Sequence, residues 1–213
     1  MVEILLYSGG MDSYIAWHFL SYPPTMFVRL GHRYEKMEFD AAYNTIPETF
    51  FTKRYPLGEF EQPDAYIPMR NLLLAMVAVG RGADKVWLVV QKDEMSIADR
   101  SEEFFDSVSK FLSFLVGRQV EVDTPFRSMD KTDMVRWYVE NGKDVAELKR
   151  TIGCYNPTWG HCGDCPACFR RFVAFKNNGL DPGYELTKRI RTYYHEHLMQ
   201  YGEERQERMK PWL

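Results

Sequence analysis

An α/β fold, with a parallel sheet covered by helices on both faces, is what the sequence predicts, and three observations carry it. Short apolar runs alternate with helix-patterned segments from Glu3 to Val122, the rhythm of strands buried between two helical layers. The first apolar run ends in a Gly-Gly turn that opens directly into a helix pattern. All four cysteines fall in one window, Cys154 to Cys168, after the last strand pattern. The C-terminal part therefore reads as a four-cysteine helical segment appended to the sheet.

Glu3 to Tyr7 reads as a buried strand, Ser8-Gly9-Gly10 as the turn, and Asp12 to Leu20 as the first helix. Thr25 to Leu30, after the Tyr22-Pro-Pro24 break, is the second strand, and Glu35 to Tyr43 a polar helix. A short strand follows near Phe50 to Tyr55, then a loop rich in Pro, Gly and acids, then the nearly all-apolar helix Asn71 to Val79, expected to be buried on most sides. Lys85 to Val90 is the clearest strand. Glu102 to Val116 is a helix with apolar Phe104, Phe105, Val108, Phe111, Leu112 and Leu115, and Gln119 to Val122 is the last strand. Lys131 to Glu140 is again helical. The tail from Tyr184 to Leu213 reads as a solvated terminal helix in preference to a dimer or partner surface.

Composition narrows the function. With 45% hydrophobic residues the chain can bury a core, which excludes disordered and collagen-like classes. The longest apolar run, Leu72 to Val79, is far short of the roughly 20 residues that span a bilayer, and the first residues lack a basic leader, so a cytoplasmic protein without membrane partners is expected. A formal charge of -3 at pH 7 disfavours nucleic acid and points to a small substrate.

Two motifs carry chemistry. In Ser8-Gly9-Gly10-Met11-Asp12-Ser13, the glycines can take positive φ and admit oxygens close to the backbone. Ser8 and Ser13 add hydroxyls, and Asp12 could hold a Mg²⁺ bridging phosphates at the helix N-terminus. A plain capped strand-to-helix turn is the alternative. The cations that such a site needs have candidates in Arg70 and Lys131, each at a helix start, with ordinary surface charge as the other reading. The cysteines, Cys154, Cys162, Cys165 and Cys168, contain two C-x2-C steps that share Cys165, and bring four thiolates to one tetrahedral ion. Zinc fits best, ahead of an iron-sulfur cluster. Four filled positions make it structural, with His161 a bystander. Trp159 could stack on a planar base or only pack on the knuckle.

The S-G-G-x-D-S string on the first strand resembles the PP-loop of the N-type ATP pyrophosphatases, adenine nucleotide alpha hydrolase-like enzymes that split ATP to AMP and pyrophosphate. Together with Tyr66-Ile-Pro-Met-Arg-Asn71, the Asp93 to Phe104 stretch, Lys131 and the four cysteines, in that order, the chain resembles the 7-cyano-7-deazaguanine synthase (QueC) family from about Glu3 to Phe175. The resemblance implies a Rossmann-like, usually dimeric enzyme that uses ATP, Mg²⁺ and a structural Zn²⁺. Such an enzyme converts 7-carboxy-7-deazaguanine and ammonia to the 7-cyano base through adenylated carboxylate and amide. By position, Ser8, Gly9, Gly10, Met11, Asp12 and Ser13 would hold pyrophosphate and Mg²⁺. Arg70 and Asn71 would line the site, Lys131 would face phosphate, and Asp93, Asp99 and His32 would belong to the base pocket. One domain over 1–213 is expected, with 1–145 the ATP-binding core and 146–213 the zinc-binding and C-terminal segment.

This chain departs from the family on the acceptor side. Leu30-Gly-His-Arg-Tyr34 stands where the family often reads Y-G-Q-R-H, and Asp93-Glu-Met-Ser-Ile-Ala-Asp-Arg-Ser101 where it often reads D-Y-S-G-Y-P-D-C-R. Other readings follow from that drift: an enzyme that stops at the amide, one that joins the base to another amine such as a protein N-terminus, a PP-loop ligase or tRNA-modifying relative acting on a different carbonyl, or a nucleotide-binding module without turnover.

Overall fold

The computed structural model describes residues 1–156 and 160–213. Strands β1 (Glu3–Leu6), β2 (Thr25–Phe27), β3 (Phe50–Phe51), β4 (Lys85–Trp87) and β5 (Glu121–Asp123) form one sheet in the order β3-β2-β1-β4-β5. Every pairing is parallel. The chain winds outward from β1 to β3, then returns past β1 to β4, so the order reverses between β1 and β4. Open α/β sheets leave a ligand crevice at such a point, beyond the strand C-termini.

The helices are α1 (Met11–Phe19), α2 (Glu35–Thr45), α3 (Arg70–Gly80), α4 (Glu102–Val116), α5 (Lys131–Glu140), α6 (Val145–Lys149), α7 (Pro166–Lys176), α8 (Lys188–Glu196) and α9 (Glu203–Met209). Strand alternation sorts their packing. Ile4 and Leu6 of β1 join Val86, Val122, Ala75 and Ala78 of α3, and Phe105, Val108 and Leu112 of α4 in one core. Leu5 and Tyr7 point the other way, into a core with Ile15 of α1, Met134, Val135 and Tyr138 of α5, and Ala174 and Phe175 of α7. The α/β sandwich expected from the sequence is thus the architecture found, and the cysteine segment sends its helix into one of the two cores.

Three details differ from the sequence expectation. The β4 ladder stops at Trp87, but Leu88 N–H still donates to Asp123 O (2.8 Å). Thr124 then substitutes for the ladder, its Oγ1 accepting from Val90 N–H (3.1 Å) and donating to Val90 O (2.6 Å), which carries the extended chain on to Gln91. On α4, Phe111 and Leu115 are 52% and 56% exposed, because Phe105, Val108 and Leu112 already form the stripe that meets the sheet. The tail is docked rather than solvated. Ile190 and Tyr194, four apart on α8, are buried with Met209 against Phe169 and Phe172 of α7, and the Tyr194 ring stacks on Phe169 at 3.7 Å. No helix among the described residues is long and apolar enough to cross a membrane.

Candidate active site

A cleft of about 530 Å³ opens at the C-terminal ends of β1, β2 and β4, within the size range of small-molecule sites. Its floor is the turn after β1. Gly9 has φ +72°, and a Cβ there would stand 2.5 Å from Glu38 O and 2.7 Å from Ala42 N, so α2 packs directly on the turn. Ser13 is buried; its hydroxyl donates to Gly10 O (3.0 Å) and accepts from Ser8 N–H (3.2 Å), bracing the loop from within. Ser8 Oγ accepts from Gly10 N–H (3.3 Å). Gly10 is the N-cap of α1 and supplies no side-chain cap, which leaves the first-turn amides and the positive end of the helix facing the cleft.

Asp12 lies in that first turn. Lys131 Nζ contacts both of its carboxylate oxygens, and Gln91 Nε2 donates to Oδ2 (2.8 Å). Lys131 occupies the first position of α5, where a cation is disfavoured by the helix dipole. It is held there by a capping box in which Asp130 accepts from Thr132 and Asp133 N–H and Asp133 accepts from Asp130 N–H. Arg70 likewise begins α3, after Met69 in the left-handed region at φ +57°, and lines the cleft with no ion pair among the described residues. Both cations stand at the helix end that the dipole disfavours, and both face the cleft. Asn71, 4% exposed, donates to Asp99 O (2.9 Å) and ties α3 to the Ala98–Arg100 turn.

Another wall of the cleft is aromatic. Tyr34, whose hydroxyl burial pushes above its ordinary pKa, stands between the His32 ring at 4.2 Å and the Tyr155 ring at 5.6 Å. His32 Nε2 lies 3.3 Å from Glu38 Oε2, and its Nδ1 is buried without a partner among the described residues. Glu35 shapes the turn that carries His32, accepting from Gly31 N–H and Arg54. Asp93 and Asp99, the carboxylates singled out in the sequence, do not line the cleft: Asp93 faces Arg205 of the tail (3.5 Å) and Asp99 lies behind Asn71. Glu94 lines it instead, together with Asp12, Glu38 and Asp64. Burial alone would raise the Glu94 pKa, but Arg100 (2.8 Å), Arg170 and Lys131 together hold it below the usual carboxylate value. Gln91, Glu94, Tyr34 and the Arg170-Arg171 pair were missed. For Gln91 a signal existed, since it is the first polar residue after the Val86 to Val90 run and so ends a central strand.

The four cysteine sulfurs lie within 4.8 Å of one another, with Cys162 Sγ and Cys168 Sγ 3.9 Å apart. A tetrahedron of ~2.3 Å metal-sulfur bonds has edges of about 3.8 Å, so the cluster fits a zinc ion. Backbone N–H groups of Asn156, Asp164 and Cys168 point at Cys154, Cys162 and Cys165 sulfurs (3.3 to 3.5 Å), as thiolates require. His161 stays outside the set, stacked on Tyr184. Trp159 lies outside the described residues. A second acidic group, Asp130, Asp133 and Glu204, is occupied by Arg208.

Known proteins resemble this chain in sequence. The family model described as "Queuosine biosynthesis protein QueC" matches residues 44–179. The chain belongs to the QueC family. Named QueC relatives include 7-cyano-7-deazaguanine synthases of Methanococcus vannielii (29% identical, covering 61% of this chain and 63% of that protein) and Rickettsia felis (32%, covering 56% and 57%). The match thus spans less than two thirds of these relatives. That of Alteromonas mediterranea is 26% identical over 84% of this chain and 96% of its own length. The QueC match begins after the Ser8–Ser13 loop and ends before α8, so the loop and the tail stand on the structure.

Proposed function

We propose that this QueC member uses ATP to convert 7-carboxy-7-deazaguanine and ammonia to 7-cyano-7-deazaguanine. The observation that carries this is the convergence of the Ser8–Ser13 loop, Asp12 with Lys131 and Gln91, and Arg70 on one cleft at the sheet's switch point, opposite an aromatic wall that suits a planar base.

A carboxylate is a poor electrophile. Attack of its oxygen on the α-phosphorus of ATP expels pyrophosphate and leaves an acyl adenylate; ammonia then displaces AMP and yields the amide after loss of a proton. A second ATP adenylates the amide oxygen, and loss of AMP and a proton completes the nitrile. The loop amides and α1 N-terminus hold the polyphosphate, while Lys131 and Arg70 neutralise charge as pyrophosphate departs. Asp12 is the carboxylate that would share a Mg²⁺ with the phosphates, one carboxylate plus substrate oxygens being a common donor set for that ion. In this reading Tyr34 and Tyr155 flank the base, and His32, beside Glu38, takes a proton on the acceptor side; its contact with Glu38 supports that role. The cysteines would hold a structural Zn²⁺.

The test is mass spectrometry of base and adenine nucleotide after incubation with 7-carboxy-7-deazaguanine, ammonium, Mg²⁺ and ATP. Nitrile with two AMP per turnover is expected. Amide alone would mean a reaction stopped half-way, a reading that Asp93 supports by facing Arg205 and not the cleft. Untouched base would overturn the proposal.

A further inference from the structure

Two half-buried cations of this fold are met by carboxylates, Lys131 by Asp12 and Arg208 by Asp130 and Asp133. The more deeply buried Arg171 is not. It lies on α7, three residues beyond Cys168, is 4% exposed, and makes no ion pair among the described residues. Its Nη1 donates to Thr151 Oγ1 (2.9 Å) and its Nη2 to Leu148 O (3.0 Å), both neutral acceptors, and its Nε is buried without a partner among the described residues. A guanidinium has five N–H donors in a fork suited to phosphate, and burial disfavours the Arg171 charge, which Asp12 and Cys168 offset only from a distance, without a direct ion pair among the described residues.

Its surroundings point to what the counter-ion is. Arg171 and Arg170 both line the cleft. Arg170 donates to the Tyr155 hydroxyl (3.0 Å) and stands 3.8 Å from Glu94, a carboxylate already bound at 2.8 Å by Arg100, and its Nε is also buried and unpartnered. One wall thus carries three guanidinium groups against one carboxylate. The same wall grips the turn after β1: Thr151, held by Arg171, precedes Ile152, whose N–H donates to Gly9 O (3.0 Å).

We infer that Arg171, with Arg170 beside it, forms an anion site for the pyrophosphoryl group of the nucleotide, so that the helix anchored by the cysteines supplies a wall of the nucleotide site. This rests on the ATP reading above. The missing counter-charge arrives with the ligand, and the Arg171-Thr151-Ile152-Gly9 chain of contacts sets the spacing between the loop amides and the guanidinium fork.

Isothermal titration of the full, metal-loaded chain with inorganic pyrophosphate, and separately with ATP, adenosine and 7-carboxy-7-deazaguanine, tests it. Arg171→Met should weaken pyrophosphate binding about 10- to 100-fold, the worth of a charged hydrogen-bond set, and leave adenosine unchanged. Because Arg171 also braces Thr151 and Leu148, Arg171→Lys and Arg170→Gln carry the test if the methionine variant fails to fold, each expected to lose about 10-fold toward pyrophosphate. Pyrophosphate binding within twofold of wild type in the folded variants would overturn the inference alone. So would a loss confined to 7-carboxy-7-deazaguanine, which would give the arginines to the acceptor carboxylate. A wild-type chain blind to both pyrophosphate and ATP would overturn this inference together with the ATP reading.

Discussion

Asp12 is one residue into α1, yet its partners come from the end of the β4 segment and the start of α5, 79 and 119 positions away. Its carboxylate is where the two halves of the sheet meet at the site. Asp12→Asn should therefore cut AMP formation by at least about 100-fold while circular dichroism and the thermal midpoint stay close to wild type, as for loss of a group that acts on developing charge. Retained turnover would remove Asp12 from the phosphate machinery. His18, on the same helix, supplies a pH test. Burial, with Lys143 adding to it, lowers its pKa from 6.5 to about 4, and its Nε2 is buried without a partner. The folded form keeps it neutral while the unfolded chain takes up a proton, so the stability it contributes is complete above pH 6.5 and is lost as pH falls toward 4. Urea melts at pH 7 and pH 5 should show wild type losing more stability than His18→Gln; equal losses would place the pH dependence elsewhere.

The element that decides the site's shape is the turn between β1 and α1. With φ +72° and a Cβ position inside the backbone of α2, Gly9 tolerates no side chain, and Gly9→Ala should cost at least about 2 kcal/mol in urea unfolding. A smaller loss would mean that α2 can step back, contrary to the close packing seen. The cysteine segment makes a separate prediction. Metal analysis should find about one zinc per chain, and Cys168→Ser should reduce that content and loosen α7, read as faster hydrogen exchange at Phe169 to Phe175. Full zinc in the variant would break the four-ligand assignment. Both elements combine a local signature with a long-range contact: Gly-Gly announces a turn, but only α2 lying against it makes the glycine obligatory.

At the scale of the whole molecule, the tail and the sheet behave as one body. α7 contributes Ala174 and Phe175 to a sheet core and Phe169 and Phe172 to the tail core, so the two share a helix. Arg208 of α9 ion-pairs with Asp130 and Asp133, the residues that cap α5 beside Lys131. Tyr194→Ala should thus destabilise the chain by about 3 kcal/mol, in line with removal of a buried ring. Near-ultraviolet dichroism and far-ultraviolet dichroism should report one coincident transition. A separate early step would show that the tail unfolds on its own.

The sequence alone determined what depends on local pattern. The short apolar runs and period-3.6 patterns placed all five strands and most helices, the Gly-Gly turn located the loop that floors the cleft, and the cysteine spacing named a four-thiol cluster, because each is encoded within a few neighbouring residues. Only the tertiary structure decided what depends on which distant segments meet. It brought Gln91 and Lys131 to Asp12, placed Glu94 rather than Asp93 in the cleft, and set Arg171 against the cleft wall with no carboxylate beside it. Charge reads the same along a chain whether its partner is 4 or 119 residues away; the parallel order β3-β2-β1-β4-β5 is what chooses between them.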